Sequence, residues 1–324
     1  VDNNFNRLIG GLVGFISYDI VRCWEDISDN YTKRTYADFQ FGLFNEGIIF
    51  DHERNKSYYY YSGQNNLEEI LESLTLQREI GTIDYTEPTS NINKEKFEKN
   101  VDVAKEYVRS GDIFQVVLSR KYEFEITGDL LSIYKALRTI NPSPYMYYYK
   151  TKNVNIIGSS PEMLVRVTGN QIETFPIAGT RPRDNDEEKN KQLTDELLSD
   201  EKERAEHVML VDLARNDVGQ IAKFGSVKVP EFMQVHQFSH VQHIVSKVIG
   251  ELKKDRDCFD AIRAIFPAGT VSGAPKIRAM EIIQELEEES RGPYAGALGY
   301  FSKNMCADFA ITIRTLVVKG NDAY

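Results

Sequence analysis

The sequence predicts an α+β fold built on an extensive, largely antiparallel sheet. Three observations carry that expectation. Segments with two-residue alternation and segments with helical spacing mix without a regular strand–helix–strand rhythm, which disfavours a doubly wound parallel sheet. The chain has 324 residues, 41% of them hydrophobic, enough to bury a large core as one big domain or two ordinary ones. Two pairs of strand-like runs are joined by polar turns at hairpin distance. There is no internal repeat or low-complexity tract.

In chain order, Gly11 to Ile20 reads as a strand, and 46–50 with 57–61 as a hairpin around the polar turn 51–56. Residues 67–76 have helical spacing. The polar, aperiodic stretch 81–93 holds Pro88 and reads as a linker between an N-terminal part, 1–80, and the remainder, 94–324. Asn93 is placed to cap a helix that presents Phe97, Val101, Ala104 and Val108 on one face and stops at Gly111. Residues 114–119 are strand-like, and Asp129 caps a second helix running to Leu137. Strands follow at 147–149, 154–157 and 164–167, and the charge run 184–190 reads as a solvated loop. Asp200 and Glu203 mark the start of a helix expected to end by Asn216. Further strands are expected at 226–229, 241–249, 296–301 and, as one buried run, 309–318. Lys319 to Asp322 then reads as a hairpin turn.

The stretch Phe266-Pro-Ala-Gly-Thr-Val-Ser-Gly-Ala-Pro-Lys276 packs glycines, prolines and two hydroxyls ahead of a helix whose apolar residues are Ile277, Met280, Ile283 and Leu286. Pro275 suits a first helical turn, whose free N–H groups and dipole favour an anion. An ordinary loop that starts a helix has the same pattern.

Net charge of −10 and a pI near 5.2 argue against nucleic-acid binding. No apolar run reaches membrane-spanning length, since Ile9 to Ile20 is interrupted by Asp19 and rich in glycine. The three cysteines, Cys23, Cys258 and Cys306, lack metal-type spacing, and an odd count with no visible signal peptide fits a cytoplasmic setting. Val1 is not an initiator methionine, and the chain stops just as a strand would return from the turn after Val318. These ends read as those of a fragment whose 309–318 strand lacks its hairpin partner.

Several residues can carry chemistry. Glu203 and Glu206 lie three apart on one helix, so their carboxylates share a face. If turned inward they form a hard-oxygen site suited to Mg²⁺; a solvated face carries the same pair. His236, His240 and His243 have zinc-like spacing for a helix, but the β-branched run after them is a strand. In a strand His240 and His243 point to opposite faces, which leaves one histidine free to enter a cavity. Glu162, just after a strand that Pro161 ends, can serve as a general acid if burial raises its pKa. Arg314 reads as buried in mid-strand, where it needs a carboxylate, either a bound acid or a structural Asp. Gly179 and Thr180 add backbone and hydroxyl donors. The inventory points to a small polycarboxylate handled with Mg²⁺.

In this order, several segments resemble the chorismate-utilising enzymes, nearest to the anthranilate synthase component I family. They include residues 10–19, 111–120 and 158–162, Pro176-Ile-Ala-Gly-Thr-Arg-Pro-Arg183, Glu206 to Asp217, residues 239–248, Phe266 to Lys276, Arg291-Gly-Pro-Tyr294 and Thr312-Ile-Arg-Thr315. The resemblance implies one domain whose halves enclose a large antiparallel β-sandwich with surrounding helices and a central active-site cleft. It implies a lyase of tryptophan biosynthesis that turns chorismate and ammonia into anthranilate and pyruvate. Glu206, with Glu203 acting through water, would hold Mg²⁺, and further metal carboxylates would lie beyond residue 324. Glu162 would protonate the departing C4 hydroxyl, and His243 would assist elimination of pyruvate. Gly179 and Thr180 would lie along the ring, while Thr270, Tyr294 and Arg314 would orient the substrate. Water-adding relatives carry a lysine base where this chain has Gln115, and many aminodeoxychorismate synthases carry a nucleophilic lysine at Ala178. Ammonia would come from a separate glutamine amidotransferase subunit, making a hetero-oligomer. Asn141, Pro142, Ser143, Pro144, Tyr145 and Met146 resemble half of a tryptophan feedback site. The alternatives are aminodeoxychorismate synthase component I and a ligand-binding protein without turnover.

Overall fold

A computed structural model describes residues 7–28, 31, 35–76, 78–238 and 241–324. The chain opens with β1 (Gly11–Ile16), α1 (Val21–Trp24), β2 (Phe39–Phe44), β3 (Glu46–Asp51), β4 (Lys56–Tyr61) and α2 (Leu67–Thr75). Next come β5 (Ile83–Tyr85), β6 (Thr89–Ser90), α3 (Lys94–Ser110), β7 (Gln115–Val116), β8 (Tyr122–Gly128), α4 (Leu131–Ile140), β9 (Tyr145–Lys150) and β10 (Val154–Ser160). The middle holds β11 (Met163–Thr168), β12 (Gln171–Thr174), β13 (Ile177–Pro182), α5 (Glu187–Ser199), α6 (Glu201–Ile221), β14 (Lys228–Gln237) and β15 (Val241–Glu251). It closes with α7 (Cys258–Ile265), β16 (Gly273–Ala274), α8 (Lys276–Leu286), β17 (Ala297–Ser302), β18 (Ala307–Ile311), β19 (Thr315–Lys319) and β20 (Asp322–Ala323).

Among the described residues, one antiparallel sheet runs β13-β15-β12-β11-β18-β17-β1-β2, with β14 also on β15. A second runs β5-β8-β20-β19-β10-β9, with β6 also on β8. The two sheets meet through Phe15 and Leu298 of the first and Tyr149, Ile156 and Val317 of the second, with Phe15 and Tyr149 in edge contact at 6.3 Å. The larger core lies between the first sheet and α6, α7 and α8, where Val248, Ile262, Met280, Ile283 and Phe309 are buried. The expected sandwich with surrounding helices is therefore present. No helix among the described residues is long and apolar enough to cross a membrane.

Local signals held where the chemistry is local. The Asn93 side chain accepts from Lys96 N, and Gly111 closes α3 with φ 82°. Asp200 caps α6 through Lys202 N and Glu203 N, whereas Leu130 takes the N-cap position of α4, which runs to Ile140, and Asp129 Oδ1 accepts from Leu131 N one residue ahead of it.

Several expectations change. The first strand stops at Ile16 because Asp19 turns inward to accept from Gly292 N at 2.8 Å. The stretch 81–93 is no free linker, since β5 and β6 both pair with β8. Helix α5 starts inside the charge run, capped by Asp186, and α6 continues to Ile221. Ile277 faces solvent, and α8 buries Ala279, Met280, Ile282 and Ile283 instead. The turn after Val318 forms, and β20 pairs with both β19 and β8, so β19 has a neighbour on each side.

Candidate active site

The site is created where two neighbouring strands change sheets together. Strand β10 lies in the smaller sheet and β11 in the larger, with Pro161 and Glu162 between them. Strands β18 and β19 make the same crossing in the opposite direction, through Thr312 to Arg314. The crossings are stitched by Ile311 N donating to Glu162 O at 3.0 Å, Ser159 N to Arg314 O at 3.2 Å and Ser160 Oγ to Ile311 O at 2.7 Å. Arg314 is not buried in mid-strand, as its apolar neighbours suggest. It stands at the break with φ 51°, is exposed, and forms no ion pair among the described residues. Left-handed backbone at a non-glycine residue is costly and tends to mark functional sites.

Glu162 is desolvated at this crossing. Burial raises its pKa from 4.5 to about 7, against the opposing effects of a hydrogen bond from Thr270 Oγ1 (2.8 Å to Oε1) and the charge of Arg314. A carboxylic acid that keeps its proton near neutral pH can donate it to a leaving group.

His243 lies on β15 opposite a bulge in β13, where the register slips between Ala178 and Arg181. Its Nδ1 donates to Gly179 O at 2.8 Å, with Thr180 Oγ1 at 3.1 Å. A carbonyl can only accept, so the proton sits on Nδ1 and Nε2 keeps a free lone pair. Burial lowers the pKa of His243, partly offset by the Gly179 bond, and Arg314 lowers it further. Gly179 takes φ +68°, and a Cβ there would lie 2.9 Å from Leu197 Cδ1 and 3.2 Å from Glu203 Oε2. Only glycine fits without displacement.

Helix α6 supplies the carboxylates. Glu203 packs beside Gly179, with Arg181 Nη1 at 3.8 Å. Glu206 Oε1 accepts from Gln115 Nε2 at 3.2 Å, and these two line a groove of about 1020 Å³ with Phe114, Met209 and Phe232. Gln115 Oε1 is buried without a hydrogen-bond partner among the described residues. His207, pointing the other way, anchors α6 to β15 through Nε2 and Ser246 Oγ at 2.6 Å; burial alone pushes its pKa to about 4, keeping it neutral.

The structure thus joins Glu162, Thr270 and Arg314, then His243 with Gly179, Thr180 and Glu203, then Glu206 with Gln115. Gln115 is in turn ladder-paired to Ala274, on the segment that carries Thr270. Tyr294 stands apart, lining a cavity of about 250 Å³ with Arg291, Thr312 and Tyr324. Pro144, Tyr145 and Met146 line a separate groove of about 730 Å³. His236 lies directly across from His243 on β14, and His240 lies outside the described residues. Lys276 and Asp217 stand in the motifs quoted above, yet nothing local signals that they pair, as they do at 2.7 Å.

Residues 2–324 match the model of a family described as chorismate binding enzyme. The chain belongs to that family. It is 53% identical to anthranilate synthase component 1 of Methanothermobacter thermautotrophicus, over 96% of this chain and 67% of that protein. It is 47% identical to the protein of the same name from Aquifex aeolicus, over 100% of this chain and 69% of the other. The crystal structure of anthranilate synthase component I from Streptococcus pneumoniae superposes with a TM-score of 0.90 at 40% identity, covering 99% of this chain and 75% of that one. Membership of the chorismate-binding family accounts for the antiparallel sandwich.

Proposed function

We propose that the chain converts chorismate and ammonia to anthranilate and pyruvate, as the component I of an anthranilate synthase in tryptophan biosynthesis. The observation that carries this reading is Glu162, a carboxylic acid held protonated to about pH 7 beside the exposed guanidinium of Arg314. Arg314 attracts and orients a substrate carboxylate. Ammonia attacks C2 of the ring, the double bonds shift, and the C4 oxygen leaves as water with the proton from Glu162. The second step removes the C2 proton and breaks the C3–oxygen bond, so that the enolpyruvyl group departs and is protonated to pyruvate. His243, with Nε2 unprotonated, is the base suited to it. Gln115 cannot deprotonate water, so ammonia, already nucleophilic, is the competent attacker.

Glu203 and Glu206, one turn apart on α6, supply two carboxylates of the kind that hold Mg²⁺ together with waters and substrate oxygens, and among the described residues no third ligand joins them. Bound there, the ion would neutralise a ring carboxylate. A glutamine amidotransferase subunit is the proposed ammonia source. The groove at Pro144 to Met146 is the proposed tryptophan feedback site. Its Tyr145 donates to Asp308 Oδ1 at 2.8 Å, and Asp308 in turn holds Arg166 of β11.

The test is anthranilate fluorescence on mixing the chain with chorismate, an ammonium salt and Mg²⁺, with Glu162→Gln as control. Anthranilate from the wild type and not from the variant supports the reading. Calorimetric binding of chorismate without turnover would replace it with a ligand-binding role.

A further inference from the structure

Thr270 reaches Glu162 from the loop Phe266–Pro275, which joins α7 to α8. The far half of that loop is well tied. Arg291 Nη1 donates to Val271 O at 2.7 Å, and Val117 N and Phe114 N donate to Ser272 O and Ala274 O at 2.9 and 2.8 Å. Among the described residues the near half, Ala268 to Thr270, has only the bonds of its own turn and the Thr270 hydroxyl on Glu162, and it lies along a cavity of about 40 Å³ bounded by Glu162, Leu213 and Asp217. With so few bonds to the rest of the fold, this half depends on how the base of the loop is held.

The fixing group is Lys276, the first residue of α8. Its Nζ donates to Ile265 O, just before the loop, at 2.8 Å and to Asp217 Oδ2 on α6 at 2.7 Å. The lysine and aspartate side chains are only 10% and 9% exposed. One ammonium therefore closes the loop on itself and pins it to the helix that carries Glu203 and Glu206.

We propose that Lys276, with Asp217, is a positioning residue for the acid: its ammonium clamps the base of the Phe266–Pro275 loop and so keeps the Thr270 hydroxyl on Glu162. The proposal rests on the reading of Glu162 as the general acid. The charged groups facing Glu162 are Arg314, from the neighbouring crossing, and Asp217, across the small cavity, while Lys276 acts on it through Asp217 and the loop. The Thr270 bond favours the carboxylate, so its loss lets Glu162 hold its proton to higher pH.

The experiment is an infrared difference titration of the protonated Glu162 carboxyl, its band assigned by its loss in Glu162→Gln. Thr270→Val sets the size of the effect. The paired variant Lys276→Met with Asp217→Asn removes the clamp without leaving a lone buried charge. Lys276→Met alone, which removes both bonds of the ammonium and leaves a buried Asp217 able to take up a proton, is the second route should the pair fail to fold. Lys276→Arg tests rescue. The clamp predicts that the Glu162 midpoint rises in the unclamped variants as it does in Thr270→Val, and stays near wild type in Lys276→Arg. Chorismate turnover should fall roughly tenfold or more in kcat with KM little changed, a part of the usual general-acid contribution. A folded unclamped variant whose Glu162 titrates as in wild type overturns the proposal, whatever its melting temperature. The titration needs no turnover, so the clamp stands or falls on it even in a chain that fails to convert chorismate; that failure would count against the functional reading instead.

Discussion

Replacing Glu162 by Gln should stabilise the protein at alkaline pH while abolishing its chemistry. Burial holds the Glu162 carboxyl at about 7 instead of 4.5. At about 1.4 kcal/mol for each tenfold change in proton affinity, that difference is worth about 3 kcal/mol. The sign follows from the raised value: the stability contribution is full below about pH 4.5 and is lost as pH rises through about 7. Above that, the folded state must hold an ionised carboxylate that the unfolded chain would hydrate freely. A Gln is a neutral copy of the protonated acid at every pH, and its carbonyl can still accept from Thr270. Urea unfolding of both proteins from about pH 5 to about pH 9 should therefore show curves that nearly coincide at the acid end and separate by about 3 kcal/mol at the alkaline end. That gap is a large share of a total of about 5–15 kcal/mol. Over the same series the wild-type rate should decline as pH rises through about 7, and Glu162→Gln should lose about 10²- to 10⁴-fold in kcat. A stability gap that does not change with pH would mean that Glu162 ionises like a surface carboxylate. The acid role would then have no physical basis.

Gly179→Ala forces a Cβ to within 2.9 Å of Leu197 and requires φ near +68°. It should cost about 1–2 kcal/mol from the backbone alone and lower kcat by moving the carbonyl that fixes the His243 tautomer; wild-type melting and activity together would refute this. Gln115→Lys sets an ammonium against Glu206 and should slow anthranilate formation while permitting some isochorismate, so chromatography showing an unchanged anthranilate rate would count against the role of Gln115. His243→Ala should let the aminated intermediate accumulate, since in the proposed reaction amination uses Glu162 and not the imidazole. Loss of both steps together would reassign His243 to binding or folding.

What could be read in the sequence depended on how far each signal had to act. Asn93 and Gly111 bracket α3 because both work on backbone groups within one turn of themselves. The Asp257 capping box that starts α7 is equally local, with Asp260 as its partner, and was there to be found. Helix α5 was hidden because it buries only Asn190 and Leu197, so its spacing carries little apolar signal. The break at Arg314 had no local signal at all, because an apolar run looks the same whether it stays in one sheet or crosses to another.

That break is also what makes the site. Glu162 and Arg314 are far apart in the chain, and their approach follows from two pairings, β11 with β18 and β10 with β19. When two paired strands leave one sheet for the other at the same level, the ladder cannot continue through the crossing, and the sheets part there. A carboxyl placed at such a point is shielded by both sheets, and the arginine at the adjacent crossing stands near enough for its charge to oppose the rise in the carboxyl's pKa. The motifs name the residues, but the double crossing explains why an acid with a raised pKa and an exposed guanidinium can persist side by side. Neither would be stable within a continuous strand. There Glu162 would meet either full solvent or a closed core, and Arg314 would need the permanent carboxylate partner that it lacks among the described residues.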